Sequence, residues 1–159
     1  MDRIILFINT NIRLLLGIAV VLLLFVVIVI ALLSRNETQT SVAVGDTKFN
    51  VEVAKTDEER QIGLSETDVL GETDGMLFVF DQPDYYSFWM RDMKFPIDII
   101  YLTGDRVNTV IKNASPSPNN ENLLIYQPKE KSDIVFEVNA GIADKYNITE
   151  GTTLDIENL

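Results

Sequence analysis

The sequence predicts a mainly β, β-rich α+β domain with a compact barrel-like or sandwich fold and one or two short helices, preceded by a single N-terminal transmembrane helix. Residues 14–33 are twenty consecutive positions without a charge. After residue 75 the chain consists of short apolar or alternating runs separated by turn residues. We therefore divide the chain into a short cytoplasmic N-terminus at 1–13, a transmembrane helix at 14–33, a linker at 34–41 and an extracytoplasmic domain at 42–159.

The apolar run matches the bilayer in length, because a helix of this size is roughly 30 Å long. Arg3 and Arg13 precede the run and Arg35 follows it. This slight basic excess on the N-terminal side favours an N-terminus in the cytoplasm. A cleaved signal peptide is the alternative, but its apolar stretch is usually about 7–15 residues long. We expect an uncleaved, single-pass anchor whose partner is the lipid bilayer.

Charge and composition exclude several classes of function. The chain has a net charge of −11, which repels nucleic acid and makes it an unsuitable partner. It has no cysteine and no histidine. Disulfides, catalytic triads that use these side chains and the usual zinc sites are therefore excluded. We predict no cofactor and no metal.

The domain begins with two strands, Val42–Val44 and Lys48–Val53, joined at Gly45-Asp46. Thr56 and Glu59 form a capping-box pattern, which predicts a helix that ends near Gly63. A polar loop follows at 65–75. The remaining predicted strands are Met76–Phe80, Tyr85–Met90, Ile97–Leu102, Arg106–Lys112, Leu123–Tyr126, Ile134–Val138 and Thr152–Ile156. A second short helix is expected at Ala140–Tyr146, and Thr103-Gly104-Asp105 reads as a hairpin turn.

Six short motifs follow one another along the domain. They are Glu59-Arg60-Gln-Ile-Gly-Leu64, Gly75-Met-Leu-Phe-Val-Phe80, Ser87-Phe-Trp-Met-Arg91, Pro96-Ile-Asp-Ile-Ile100, Phe136-Glu-Val-Asn-Ala-Gly141 and Asn147-Ile-Thr-Glu-Gly151. Together they strongly resemble the DUF192 family of bacterial and archaeal proteins, over about residues 48–156. Ser65 and Thr152 depart from residues common in the family. The resemblance implies a compact β-rich fold and no established reaction.

Trp89 and Arg91 are the first candidates for a ligand site. Neighbouring residues on a strand point to opposite faces, so Trp89 and Arg91 share one face and Phe88 and Met90 the other. If Phe88 and Met90 are buried, Trp89 becomes a stacking platform with a cation beside it, and Tyr86 lies close by. The alternative is a structural Trp89 beside a solvated Arg91.

Carboxylates within strands form the second group of candidates. Asp98 interrupts an apolar strand and Glu137 lies between Phe136 and Val138, so either side chain would need a partner if it is buried. Together with Asp74 they would suit acid–base glycoside cleavage or calcium binding. The structural alternative is that Asp98 and Glu137 cap turns or pair with arginines, with Arg60 and Asp74 as candidate ion-pair residues.

Three classes of function follow from these residues. The first is a non-catalytic binding module for a small ligand or an envelope polymer. The second is a carboxylate-dependent hydrolase acting on an envelope polymer, and the third is a domain that docks on an exported protein. The absence of histidine and cysteine weakens the case for an enzyme. We favour the binding module, with Trp89, Arg91, Asp98, Glu137 and Tyr86 as its candidate ligand-binding residues.

Overall fold

The computed structural model describes residues 16–30 and 39–159. Residues 16–30 form a helix, α1, whose apolar side chains are almost all exposed. Within these two ranges, no helix is both long and apolar enough to cross a membrane. The predicted N-terminus at 1–13, both ends of the predicted span at 14–33 and most of the linker lie outside the described residues.

The domain is built on one seven-stranded sheet. Its strands are β1 (Ser41–Val44), β2 (Thr47–Ala54), β3 (Asp74–Asp84), β5 (Ile97–Thr103), β6 (Arg106–Ala114), β8 (Ser132–Asn139) and β9 (Asp155–Glu157). Their order is β6-β5-β8-β3-β2-β1-β9, and all neighbours are antiparallel except β2 and β3. A separate two-stranded ribbon pairs β4 (Phe88–Trp89) with β7 (Ile125–Tyr126). The helices are α2 (Asp57–Ile62) and α3 (Ile142–Lys145), with a 3₁₀ turn at Pro118–Asn120.

The sheet curls into a half-barrel, because the segment before β9 at one edge of the sheet pairs with β6 at the other edge. Arg106 and Thr153 form an isolated bridge. Backbone hydrogen bonds of 2.8 Å from Val107 to Thr152 and of 2.9 Å from Leu154 to Asp105 continue this contact. The curled sheet therefore needs few helices to cover its core.

Alternation along the strands separates two apolar cores, one on each face of the sheet. The first contains Phe49, Leu77, Ile100, Phe136, Val138 and Ile148, with α3 packed against it. The second contains Met76, Phe78, Met90, Ile97, Ile99, Tyr101 and Val135. The ribbon lies on the second face, since Phe88 contacts the rings of Phe78 and Tyr101 at centroid distances of 4.9 and 5.8 Å. The candidate site lies on this second face.

The prediction of a mainly β fold is confirmed. The capping box that starts α2 is also present: Thr56 accepts a hydrogen bond from the N–H of Glu59, whose carboxylate accepts one from the N–H of Thr56. The predicted strand Tyr85–Met90 is shorter than expected, with only Phe88–Trp89 paired. Tyr86 folds back so that its hydroxyl donates to the carbonyl of Gln82, which breaks the extended run.

Gly75 is required where β3 passes β8. A Cβ atom at this position would lie 2.7 Å from the carbonyl oxygen of Glu137 and 2.8 Å from the Phe136 ring. Both distances are shorter than van der Waals contact. The two central strands can therefore come this close only with glycine here.

Asp98 ties three elements of the fold together. Its side chain is fully buried. One oxygen accepts a 2.8 Å hydrogen bond from the N–H of Asn113, and the other accepts bonds of 2.9 and 2.8 Å from the N–H groups of Gly141 and Ala143. Gly141 is the N-cap residue of α3 and has no side chain to cap it. Asp98 thus supplies the cap for α3 from β5 and holds the end of β6 beside it.

We predict that Asp98→Asn lowers the free energy of unfolding by about 2–4 kcal/mol, because the new amide group faces a buried N–H donor and leaves it without an acceptor. Chemical denaturation measures this loss. Asp133→Asn is the matched control, since Asp133 accepts a single hydrogen bond from Gly104 at an exposed site. The control is expected to cost about 1 kcal/mol or less. An Asp98→Asn variant as stable as the parent protein would contradict the capping role.

Candidate functional site

A pocket of about 220 Å³ opens on the second face of the sheet. It lies among α2 with the residues that follow it, strands β3, β5 and β8, and the start of the ribbon. This volume is what about seven water molecules occupy in the liquid. Its walls are mostly apolar or aromatic and include Leu64, Phe78, Phe80, Phe88, Met93 and Ile97. We call it the aromatic pocket.

Trp89 and Arg91 stand together at the rim of the aromatic pocket. The Trp89 side chain is 42% exposed, whereas Met90, which points the other way, is buried in the second core. The Cζ atom of Arg91 lies 5.2 Å from the centroid of the Trp89 ring system. This cation–π contact does not use up the N–H donors of the guanidinium, which can still bind an acceptor. Within the described part of the chain, no ion pair joins Arg91 to a carboxylate.

Arg60 lies beside the same pocket, but three hydrogen bonds hold its guanidinium to neighbouring residues. Its guanidinium donates to the carbonyl oxygens of Lys55 and Val79 at 2.6 and 2.8 Å, and it pairs with Asp57 at 2.6 Å. It also lies over the Phe80 ring at 5.0 Å. Arg60 therefore fastens α2 to β3 and supports the pocket wall.

A stacked aromatic pair completes that wall. The rings of Phe80 and Tyr86 are 3.5 Å apart at the centroids and inclined by 10°. The residues between them form the Asp-Gln-Pro-Asp segment at the end of β3, where the register with β8 shifts between Val79 and Asp84. This irregular end of the strand turns the chain back, and Tyr86 thereby comes to rest on Phe80.

Glu137 lies at the base of the pocket, in the central strand β8. Its cross-strand neighbours are Met76 on β3 and Ile99 on β5, both apolar and buried. The residue is only 5% exposed. No ion pair or hydrogen bond joins its carboxylate to another described residue, whereas every fully enclosed side-chain nitrogen and oxygen in 16–30 and 39–159 has a partner. The Glu137 carboxylate is therefore not sealed in the core and opens onto the pocket that it lines.

Burial raises the pKa of Glu137 to about 8, because the charged carboxylate loses its hydration without gaining a partner. Burial also raises the pKa of the nearby Tyr101, with a further contribution from the charge of Glu137. The Tyr101 hydroxyl donates to the carbonyl of Tyr126 at 3.1 Å, so it is unavailable to Glu137. The pocket thus contains a carboxyl group that changes charge near neutral pH.

The structure gathers most of the candidate residues and separates two of them. Trp89, Arg91, Glu137, Tyr86 and Arg60 all line the aromatic pocket. Asp98 points to the other face of the sheet, where its oxygens accept backbone hydrogen bonds, and Asp74 lies beside a different cavity. Asp74, Asp98 and Glu137 therefore do not converge. Among the residues that the structure describes, no cluster of three acidic side chains could hold a metal ion.

Sequence reasoning missed Phe80 and Met93 as part of the site. A signal for Phe80 was present, because alternation along the predicted strand puts Phe80 on the same face as Phe78, which also lines the pocket. Nothing in the local sequence distinguishes Met93 from an ordinary loop residue. Its place in the pocket depends on the path of the loop between β4 and β5.

We predict that ionisation of Glu137 destabilises the fold. Its pKa is about 8 in the folded protein and near 4.5 when exposed, so the folded state holds an extra proton between these values. The free energy of unfolding should therefore fall as pH rises from about 4.5 to 8 and level off above that range. The full shift corresponds to a loss on the order of 5 kcal/mol.

Denaturation at a series of pH values, compared between the parent protein and Glu137→Gln, isolates this effect from the other titrating groups. The stability advantage of the Gln variant should grow from pH 5 to pH 8. Glu52→Gln is the matched control, since Glu52 stands opposite Met76 in the same row of the sheet but is exposed. A constant difference between Glu137→Gln and the parent protein across this pH range would contradict the raised pKa.

Comparison with known proteins places the chain in a family and leaves its activity open. No curated protein matches the sequence. A Sinorhizobium meliloti 1021 protein, provisionally described as a transcription regulator, has a similar structure, with 24% identity, a TM-score of 0.67 and coverage of 76% of this chain and 94% of that chain. A Novosphingobium aromaticivorans DSM 12444 protein of unknown function is 32% identical, with a TM-score of 0.63 and coverage of 74% and 83% respectively. The family model DUF192, described as Uncharacterized ACR, matches residues 39–156. The chain therefore belongs to the DUF192 family.

Proposed function

We propose that this protein is a membrane-anchored extracytoplasmic module that binds a small ligand in the aromatic pocket and does not transform it. The observation that carries this proposal is Glu137, a buried carboxyl group that has no partner among the described residues and opens onto a pocket with aromatic walls. A buried charge is costly unless it is compensated. The raised pKa lets Glu137 avoid this cost as the neutral acid, and a cationic ligand group would compensate the charged form.

Arg91 adds a second free binding group at the rim of the same pocket. Pockets that bind small molecules combine apolar walls with a few polar groups that orient the ligand. Arg91 and Glu137 are two such groups: the first is a cation, and the second becomes an anion when it ionises. The ligand is either a small molecule or a chemical group carried by an envelope polymer or an exported protein.

A carboxylate-dependent hydrolase has less support. Glycoside cleavage by the common route needs two carboxyl groups facing one substrate. The other carboxylate that lines the pocket in the described residues is Asp57, which is paired with Arg60. Asp98 is committed to backbone N–H groups. A non-catalytic role does not require a second carboxyl group beside Glu137 and therefore agrees with the positions of Asp57 and Asp98.

The anchor rests on the uncharged run at residues 14–33. Residues 16–30 of this run are helical, and their exposed apolar side chains are suited to lipid. The slight excess of basic residues before the run favours an N-terminus in the cytoplasm and a domain outside it. The proposed location is thus the cell membrane, with a single pass.

We expect the full chain to remain with membranes through carbonate and high-salt washes, because burial of apolar side chains does not depend on charge screening. Replacing both Leu23 and Leu24 with Arg should release it, since each arginine at the centre of a span costs about 2.5–3.5 kcal/mol. Protease added to spheroplasts should digest the domain. A parent protein found in the soluble fraction, or a domain protected from protease, would contradict the proposed anchor or its orientation.

A panel of small molecules tests the pocket itself. Trp89 is the one tryptophan in the chain, so intrinsic fluorescence reports directly on the rim. We expect at least one class among amines, carboxylic acids, sugars and short peptides to change this emission saturably. Ser65 lines the pocket, and Ser65→Leu should weaken that binding at least ~10-fold by filling the space. Ser115→Leu, at an exposed site outside the pocket, is the matched control. If no class binds, the binding role is wrong.

A further inference from the structure

Glu137 and Arg91 together define the chemistry of the ligand. Glu137 is only 5% exposed and lines the pocket, and no described residue pairs with its carboxylate. A positively charged ligand group would compensate its carboxylate, whereas an anionic group placed there would be repelled. The base of the pocket therefore selects a cation.

The walls favour an organic cation over a metal ion. The pocket residues around Glu137 include Phe78, Phe88 and Ile97, which offer no oxygen ligands. Hard metal ions such as Ca²⁺ require six or more oxygens. An ammonium group can donate to both oxygens of one carboxylate, and both it and the methylene groups attached to it interact favourably with aromatic faces.

The rim selects a different group. Arg91 is held over Trp89 by stacking, and its edge N–H groups have no carboxylate partner among the described residues. A planar carboxylate is the group that a guanidinium binds best through two parallel hydrogen bonds. A ligand that enters with its ammonium group first and carries a carboxylate behind it would satisfy both residues.

We propose that the aromatic pocket binds a linear ω-amino acid, with its ammonium group against Glu137, its methylene groups between the aromatic walls and its carboxylate on Arg91. This proposal rests on the binding function proposed above and specifies its ligand class. It also assigns Glu137 as the residue that selects the cation and Arg91 as the residue that selects the anion.

Binding of such a ligand must depend on pH, because Glu137 has to lose its proton to pair with an ammonium ion. With a pKa of about 8, roughly a tenth of Glu137 is ionised at pH 7 and nine tenths at pH 9. Affinity should therefore rise about tenfold between these pH values. The other charged or titratable groups that face the pocket are Asp57, Arg60, Tyr86 and Arg91, and Tyr101 lies beside Glu137 in the core.

The test compares three probes on the full chain in a neutral detergent at pH 9, with Trp89 fluorescence as the readout. The probes are 5-aminopentanoate, pentylamine and pentanoate, which carry both groups, the amine alone and the carboxylate alone. We expect 5-aminopentanoate to bind most tightly, pentylamine more weakly, and pentanoate at least tenfold more weakly than pentylamine. Affinity for the two amines should fall about tenfold at pH 7.

Variants assign the two ends of the ligand. Glu137→Gln should weaken both amines at least tenfold and remove the pH dependence, while Glu52→Gln, which changes an exposed carboxylate of the same sheet face, should change neither. Arg91→Gln should reduce the affinity for 5-aminopentanoate to that for pentylamine and leave pentylamine unchanged. Arg106→Gln is its control, because Arg106 lines a separate cavity. The pH dependence of the parent protein tests Glu137 even if its variant fails to fold.

Each contrary result has a distinct meaning. If pentanoate binds as tightly as pentylamine, or if Glu137→Gln keeps its affinity for amines, the ligand class is wrong while the binding function stands. If none of the three probes binds, the ligand class is equally overturned. The wider panel of compounds described above then decides whether the pocket binds any small molecule.

Discussion

The arrangement of this domain depends on burying its central strand on both faces. Strand β8 lies between β3 and β5, and Ile134 to Val138 are all buried. Alternation sends Phe136 and Val138 into one core, while Val135 points into the other and Glu137 to the same side. Two separate sets of elements must therefore cover the sheet. The first face is closed by its own curl and by α3, whereas the second is covered by the ribbon and α2, which leave a gap above Glu137.

Two buried carboxylates on adjacent strands show how differently the fold can treat the same group. Asp98 on β5 stands opposite Val138 of β8, and Glu137 stands opposite Ile99 of β5. The two acids are therefore one register position apart and face opposite sides of the sheet. Asp98 accepts three backbone hydrogen bonds and stabilises the start of α3. Glu137 accepts none from the described residues and has a raised pKa. Asp98 therefore serves to hold the fold together, whereas the carboxyl group of Glu137 faces the pocket.

This contrast has consequences for how a family without an assigned activity is interpreted. Buried carboxylates are often taken as signs of catalysis, although structural networks also contain them. Hydrogen-bond partners separate the two cases here, because a fully partnered acid has no capacity left for a ligand. Arg60 likewise holds the fold together, since its guanidinium donates to two carbonyl groups and to Asp57, whereas Arg91 has no carboxylate partner among the described residues. We therefore propose that Glu137 and Arg91, which lack such partners in the described part of the chain, form the ligand site.

Local sequence determined much of the fold. Alternating apolar residues predicted the strands, and Thr56 with Glu59 predicted the start of α2, because these signals act between residues that are near one another in the chain. Trp89, Arg91 and Glu137 could be recognised as unusual for the same reason. Tertiary structure alone decided that Asp98 and Glu137 face opposite sides and that Phe80 and Met93 complete the pocket. It also decided that Arg60 bonds to two carbonyl groups and Asp57, whereas Arg91 has no carboxylate partner among the described residues. These outcomes depend on which strands become neighbours and on how loops cross the sheet, and both are set by contacts between residues distant in sequence.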